Sequence, residues 1–184
     1  SGWIMSHLNA LIANVNRLLE TYQYGEAGRQ ILTFTWDELA DWYVEISKHA
    51  LYGEDDALRE KTMGVLLHVL DTCLRLLHPY MPFITEEIWT YLPQRETPLI
   101  VASWPEIDDS YMNGAAEDAI ETLKELVVGI RNVRNEYNVE PSKRISAIID
   151  PGAKEAMLRK ESYVFARMCN VHEVDFMENG APDD

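Results

Sequence analysis

Residues 8–22 of this 184-residue chain read LNALIANVNRLLETY, a pattern in which apolar residues recur every three or four positions. This spacing places the apolar side chains on one face of an α-helix of about five turns. The same periodicity returns in residues 26–51, 56–77 and 113–138. We therefore predict a mainly α protein whose helices pack as an antiparallel bundle.

Capping and turn residues give the expected bounds of these helices. Gly25 is expected to close the first helix, because glycine is favoured just after a helix end. Residues 35–38, TWDE, have the spacing of a capping box that restarts the second helix. Asp56 is a suitable cap for the third helix, which Pro79 ends. A brief helix is expected to start at Thr85 and stop at Pro93.

The chain is predicted to contain three regions. Residues 3–92 form the helical bundle. Residues 93–112 contain three prolines and little periodicity, and are predicted to be a connector that packs on the surface through Trp104. Residues 113–184 begin with a long helix capped by Asn113 and continue as a small α+β tail.

The tail is expected to hold an incomplete sheet. Residues 145–149 and 171–176 resemble strands, and residues 153–168 between them resemble a helix with a break near Glu161. Two strands alone are marginally stable in water. We expect the tail to lean on the preceding helix, or to lack a third strand because the chain is truncated at its C-terminus within a larger protein.

Composition bounds the function. The chain is 47% hydrophobic and 26% charged, and no apolar run approaches the ~20 residues that cross a bilayer. Cys73 and Cys169 are its two cysteines, and no leader precedes the first helix, so we expect a cytoplasmic protein without a disulfide framework. The net charge of −15 argues against a protein that coats nucleic acid.

The charge is uneven, however. Residues 124–167 hold nine basic and six acidic side chains, so this segment carries +3 and the remainder −18. Because salt screens exposed charges more than about 8–10 Å apart, a local basic strip can still bind phosphate on an acidic protein.

No catalytic or metal site is predicted. Cys169 and His172 have half of a zinc-binding spacing, but no second pair completes it. No glycine-rich phosphate loop precedes a helix, and neither cysteine has an activating neighbour in the sequence. We expect no cofactor in this chain.

Four aromatic residues cluster between positions 34 and 43. We favour burial for Phe34 and Trp36, because large aromatic side chains dominate cores. Trp42 and Tyr43 are adjacent, so on a helix they point about 100° apart. At most one of them can therefore lie at the centre of the buried face. The other is available to stack against an unpaired base.

Four motifs carry a resemblance to a known family. They are FTWDELADWYVEISK at 34–48, LLHPYMPFITEEIW at 76–89, SWP at 103–105 and IRNVRNEYNVEPSK at 130–143. In this order they resemble the anticodon-binding domain of the valyl-tRNA synthetases, which are class I enzymes. The block at 76–89 is shared with the isoleucine and leucine enzymes, whereas residues 41–43 and the last block point to the valine enzymes.

The resemblance implies the helical bundle of class I synthetase anticodon-binding domains. It also implies a parent enzyme that joins valine to its tRNA with ATP and magnesium. The signatures of the catalytic domain, a His-x-Gly-His-type tetrapeptide and a Lys-Met-Ser-Lys-Ser-type loop, are missing from the chain. The implied partners are the anticodon stem-loop of a valine-accepting tRNA, and the catalytic domain and C-terminal coiled coil of the same parent chain. Neither DNA nor a membrane is implied.

The motifs also suggest candidate RNA-binding residues. By position in the first motif, Trp42, Tyr43 and Val44 are expected to face the anticodon, with Glu45 and Lys48 nearby. Candidates for phosphate contacts are Arg131, Arg134, Lys143 and Arg144. Arg131 and Arg134 share a helix face. This placement is consistent with contacts to a phosphate backbone and equally consistent with two charges that only face solvent.

A stand-alone editing or trans-acting RNA protein is one alternative, and two others remain. One is the equivalent domain of an isoleucyl- or leucyl-tRNA synthetase. The other is a helical protein–protein interaction module, which predicts an exposed apolar groove, whereas the synthetase reading predicts a basic patch and exposed aromatic side chains.

Overall fold

A computed structural model of the chain describes residues 1–93 and 97–177. It confirms a mainly helical protein with a small α+β tail. The N-terminal helices are α1 (Gly2–Glu20), α2 (Tyr24–Thr33), a π-helix (Phe34–Val44), α3 (Glu45–Leu51), α4 (Asp56–Leu77) and α5 (Pro82–Thr90). Short 3-10 turns at Leu99–Val101 and Asp109–Tyr111 precede α6 (Gly114–Glu136). The tail comprises β1 (Ile145–Ile149), a 3-10 turn (Gly152–Lys154), α7 (Glu155–Lys160), α8 (Tyr163–Cys169) and β2 (Val171–Phe176).

The chain divides into two compact units, Ser1–Glu117 and the part that begins at Asp118. The division falls inside α6, and the described part of the predicted connector, residues 93 and 97–112, belongs to the first unit. Residues 94–96 of the connector, and the acidic end at 178–184, lie outside the described residues. No helix among residues 1–93 and 97–177 is long and apolar enough to cross a membrane.

The predicted apolar face of α1 forms part of the first unit's core. Its members Leu8, Leu11, Ile12, Val15 and Leu18 are all buried. Burying a side chain of this kind contributes roughly 1.5–3 kcal/mol. The periodicity therefore identified this part of the core correctly.

The end of α1 differs from the prediction. The helix ends at Glu20 rather than near Gly25, and Tyr22, which shares the predicted apolar stripe, is 79% exposed. The amides of Tyr22 and Gln23 donate to the carbonyls of Leu19 and Leu18, at 3.1 and 2.8 Å. This is a Schellman end, which requires a left-handed residue, and Tyr22 has a φ of +59°. That conformation costs a bulky residue roughly 1–2 kcal/mol.

The predicted capping box at residues 35–38 is wrong. The backbone remains helical from α2 through the π-helix into α3. The Thr35 hydroxyl donates to the Ile31 carbonyl at 2.8 Å, as it does inside a continuous helix, instead of accepting from a later amide. The Glu38 carboxylate lies 3.2 Å from Nδ1 of His7 on α1.

The π-helix also corrects one expected core residue. Phe34, Leu39 and Tyr43 are its buried side chains, at steps of five and four positions. A π-helix bonds each amide to the carbonyl five residues earlier, so residues about this far apart share a face. Trp36 does not belong to that series and is 65% exposed, whereas Phe34 is buried as expected.

Two helix starts move slightly. Asp55, rather than Asp56, caps α4 by accepting from the Leu58 amide at 2.9 Å. The brief helix α5 starts at Pro82 rather than Thr85, because proline at the first helical position has no amide to leave unsatisfied. Asn113 caps α6 as predicted, accepting from the Ala116 amide at 3.0 Å.

Indole side chains fix the segment after α5 to the first unit. Nε1 of Trp89 donates to the Thr97 carbonyl at 2.9 Å, and Trp89 packs with buried Leu74 and Leu99. Nε1 of Trp104 donates to Oδ1 of Asn16 on α1 at 2.8 Å. Trp104 therefore anchors this segment on the bundle, as the sequence suggested.

The second unit contains the two-stranded sheet. Strands β1 and β2 are parallel and pair from Ile145↔Val171 to Ile149↔Phe176. The predicted break near Glu161 is confirmed, because α7 ends at Lys160 and α8 begins at Tyr163. The tail leans on α6, where Sγ of Cys169 contacts the Val127 carbonyl at 3.6 Å.

Candidate nucleic-acid interface

The first predicted patch lies on the π-helix and at the start of α3. Tyr43 is 2% exposed, and its ring meets Trp3 edge to face with centroids 5.8 Å apart. Its hydroxyl donates to Oγ of Ser1 at 3.2 Å, and burial raises its pKa. Trp42, in contrast, is half-buried. Of this adjacent pair, Trp42 has the more accessible ring.

The other members of this patch are half-buried. The Lys48 ammonium pairs with the Glu45 carboxylate one helical turn earlier. Such a pair holds the lysine against the helix and partly neutralises it. Val44, which directly precedes Glu45 in the sequence, is a small apolar side chain that is half-buried.

Trp36 is a functional candidate that the sequence placed in the core. It lies on the same π-helix as Trp42 and is 65% exposed. The buried face of this π-helix is formed by Phe34, Leu39 and Tyr43. Their spacing is the sequence signal for that face, and Trp36 does not fit it. A helix of ordinary pitch does not predict that arrangement.

Arg134 lies in the second unit, where it holds the backbone together. It is 7% exposed. Its guanidinium donates to the carbonyls of Cys169 at 3.2 Å, Pro141 at 3.2 Å and Lys143 at 3.0 Å, and also to that of Glu140. Hydrogen bonds from a charged donor are about twice as strong as neutral ones. The geometry therefore favours a structural role over a phosphate contact for Arg134.

Arg131, one turn earlier on α6, is exposed. Its Nη2 donates to the Met168 carbonyl at 3.0 Å, which fixes the guanidinium beside the end of α8. Arg131, Arg134 and exposed Arg167 line a pocket of about 380 Å³. Arg167 belongs to the basic segment of the sequence, and the packing of α8 beside α6 is what brings it close to Arg131.

Lys143 and Arg144 lie on the exposed segment before β1. The structure links Lys143 to Arg134 through its carbonyl. The segment is also held by Asn170, whose amide donates to the carbonyls of Pro141 and Ser142, at 3.2 and 2.9 Å. Its two cationic side chains thus extend from a fixed backbone.

Two further concave surfaces occur in the first unit. A cleft of about 800 Å³ is lined by Asp71, Glu106 and Asp108 among others, and these carboxylates oppose phosphate. A more apolar groove of about 530 Å³ beside α5 includes Phe83 and Ile100, which are 91% and 73% exposed. The groove is the feature that the protein-interaction alternative predicts.

No cluster of three or more histidine, cysteine or acidic side chains suited to a metal ion occurs among residues 1–93 and 97–177. Burial raises the pKa of the Cys169 thiol. The nearby His172 ring has its Nδ1 2.9 Å from the Ile145 carbonyl. These two side chains are thus engaged in packing and backbone contacts.

Comparison with known proteins identifies what the chain resembles. Residues 1–149 match the family model described as the anticodon-binding domain of tRNA ligase. The chain is 43% identical, over 98% of its length, to a valine–tRNA ligase of Geobacillus stearothermophilus. It is 41% identical to that of Enterococcus faecalis and 42% identical to that of Listeria innocua, over 94% of its length in each. The chain spans about a fifth of the length of these relatives, 20–21%.

Proposed function

Because this chain belongs to the anticodon-binding domain family of tRNA ligases, we propose that it binds the anticodon stem-loop of a valine-accepting tRNA. It acts as one region of a cytoplasmic enzyme that joins valine to this tRNA. Valine is favoured over isoleucine and leucine by the relatives, which are valine–tRNA ligases matching nearly the whole chain.

The pocket lined by three arginines is the observation that carries RNA binding. A protein with a net charge of −15 repels polyanions over most of its surface. Arg131 and Arg167 concentrate exposed positive charge at one concave place, where a phosphate group gains most from it. Exposed Trp36 and half-buried Trp42 supply aromatic surface in the first unit for unpaired bases.

Chemistry belongs to other parts of the proposed enzyme. ATP and magnesium bind to its catalytic domain, and a C-terminal coiled coil belongs to the same parent chain. The chain described here supplies binding and no reacting group. The purified chain is therefore expected to show no valine-dependent exchange of pyrophosphate into ATP.

The test is a salt titration of the chain with transcribed valine-accepting tRNA. Counterion release predicts a linear fall of log affinity with log salt, at about 0.9 per phosphate contact in a duplex and 0.7 in single strands. We expect at least two such contacts. An affinity that does not depend on salt would contradict the proposal.

Protein contact is the second candidate, and the groove at Phe83 favours it. If protein contact were the sole function, the chain would show no salt-dependent affinity for tRNA in the same titration. The titration therefore separates the two.

A further inference from the structure

The turn between α1 and α2 presents two tyrosine rings to solvent. Tyr22 is 79% exposed and Tyr24 is 53% exposed. Their rings meet edge to face, with centroids 6.2 Å apart and an interplanar angle of 80°. We call this pair the Tyr22–Tyr24 corner. It lies outside the patches predicted from the sequence.

Tyr22 occupies a position where the backbone favours a different residue. The left-handed position of a Schellman end is usually glycine and sometimes asparagine. Two other residues with positive φ, at 50° and 55°, are Asn138 and Asn170. The strained residue at this corner is instead a tyrosine whose ring contributes little buried surface. Strain retained at an exposed aromatic side chain is typical of a residue kept for binding.

The backbone beneath the second ring is held in place. The Tyr80 hydroxyl donates to the Tyr24 carbonyl at 2.8 Å. The Tyr80 ring packs so closely over Gly28 that a Cβ there would lie 2.8 Å from its Cε1. The missing side chain at Gly28 thus allows Tyr80 to reach Tyr24. The Tyr22–Tyr24 corner is a preorganised surface.

The residues around the rings in sequence are polar. Thr21, Gln23, Arg17 and Glu20 are exposed, and Nε2 of Gln23 donates to Oγ1 of Thr21 at 2.9 Å. A protein–protein interface usually has an apolar centre, which this surface lacks. Exposed aromatic rings without apolar neighbours are instead suited to stacking against unpaired bases.

We propose that the Tyr22–Tyr24 corner stacks an unpaired base of the bound tRNA. This inference rests on the proposed function and adds a second base-binding surface to it. Tyr22 supplies the stacking face, and Tyr24 supports it at an angle. The ligand is thus a single-stranded segment of RNA.

Tyr22→Gly tests the proposal, because it removes the ring and relieves the strained backbone together. The probes are a fluorescent anticodon stem-loop hairpin and a fully paired RNA duplex of the same length. Tyr22→Asn is a second variant that keeps a residue tolerated in the left-handed region. Tyr52→Ala is the matched control, since Tyr52 is 82% exposed in the turn between α3 and α4.

We expect Tyr22→Gly and Tyr22→Asn to weaken hairpin binding by about 5- to 150-fold and to leave duplex binding unchanged. Tyr22→Gly should also raise the unfolding midpoint by roughly 2–4 °C. The control should alter neither. Binding that falls while stability rises separates a ligand role from a structural one.

Unchanged hairpin affinity in both variants, or an equal loss on hairpin and duplex, would overturn the inference while the proposed function stands. A lower unfolding midpoint in Tyr22→Gly would overturn the strain argument. A failure of the unaltered chain to bind the hairpin at all would overturn the proposed function itself, and the inference with it.

Discussion

The guanidinium of Arg134 donates a hydrogen bond to the main-chain carbonyl of Lys143, with the two atoms 3.0 Å apart. Arg134, a predicted phosphate ligand, thus fixes the segment that carries Lys143, a second predicted phosphate ligand. The same side chain bonds the Cys169 carbonyl, so it joins α6 to the end of α8 as well. Exposed Arg131 and buried Arg134, three positions apart, therefore have different expected effects on stability and binding.

Replacing Arg134 by alanine should destabilise the second unit by about 2–4 kcal/mol. The substitution leaves the buried Cys169 carbonyl without this donor, at a cost of about 1–3 kcal/mol. It also removes three part-buried bonds, to the carbonyls of Glu140, Pro141 and Lys143. Urea unfolding followed by circular dichroism measures the change. Arg134→Lys should recover only part of it, because a compact ammonium group does not span several carbonyls. If Arg134→Ala were as stable as the unaltered chain, the structural role of Arg134 would be contradicted.

Replacing Arg131 by alanine should instead weaken tRNA binding with little loss of stability. Its bond to the Met168 carbonyl is exposed, so we expect less than about 1 kcal/mol of destabilisation. Each lost phosphate contact should lower the salt slope by about one, equally for all anticodons. Salt titrations of folded variants provide the measurement. An unchanged slope would place Arg131 outside the RNA interface.

The sequence predicted most helices and both strands because hydrophobic periodicity is a local signal. The exact helix ends were predicted less well, since the bounds expected at Gly25 and Thr85 lie at Glu20 and Pro82. Leu8, Leu11 and Val15 were identified as core by spacing alone. The π-helix was not predicted, because its five-residue steps do not follow the period of an ordinary helix. Trp36 was expected in the core because of its bulk, and the π-helix leaves it 65% exposed. The pocket at Arg167 depends on how α8 packs against α6, and no local pattern encodes that packing.

Trp42 and Tyr43 are adjacent, but their substitutions should have different effects on tRNA affinity and on stability. Trp42→Ala should reduce affinity for the cognate anticodon by about 5- to 150-fold, because a stacked base contributes roughly 1–3 kcal/mol. Tyr43→Phe should lower stability by about 1 kcal/mol through the lost bond to Ser1 and leave affinity intact. Tyr43→Ala should cost about 3–5 kcal/mol of stability. If a folded Trp42→Ala variant still distinguished the cognate anticodon from a changed one as well as the unaltered chain, Trp42 would have no role in binding the anticodon.

The buried thiols should be inert in the folded chain. Burial raises the pKa of Cys73 to about 12, and thiolate is the reactive form. At pH 8 the native chain should therefore resist alkylation of Cys73 and Cys169, and both should react after unfolding in guanidinium. Intact-mass spectrometry counts the adducts. Rapid labelling of Cys73 in the native chain would show that this part of the core opens readily.

The most direct test of the proposed function compares the affinity of the chain for two stem-loops at one salt concentration. One carries a valine anticodon, and the other has the same stem with a changed anticodon base. Specific base contacts predict tighter binding of the valine stem-loop, by about fivefold or more. Equal affinity for the two stem-loops would contradict anticodon recognition by this chain.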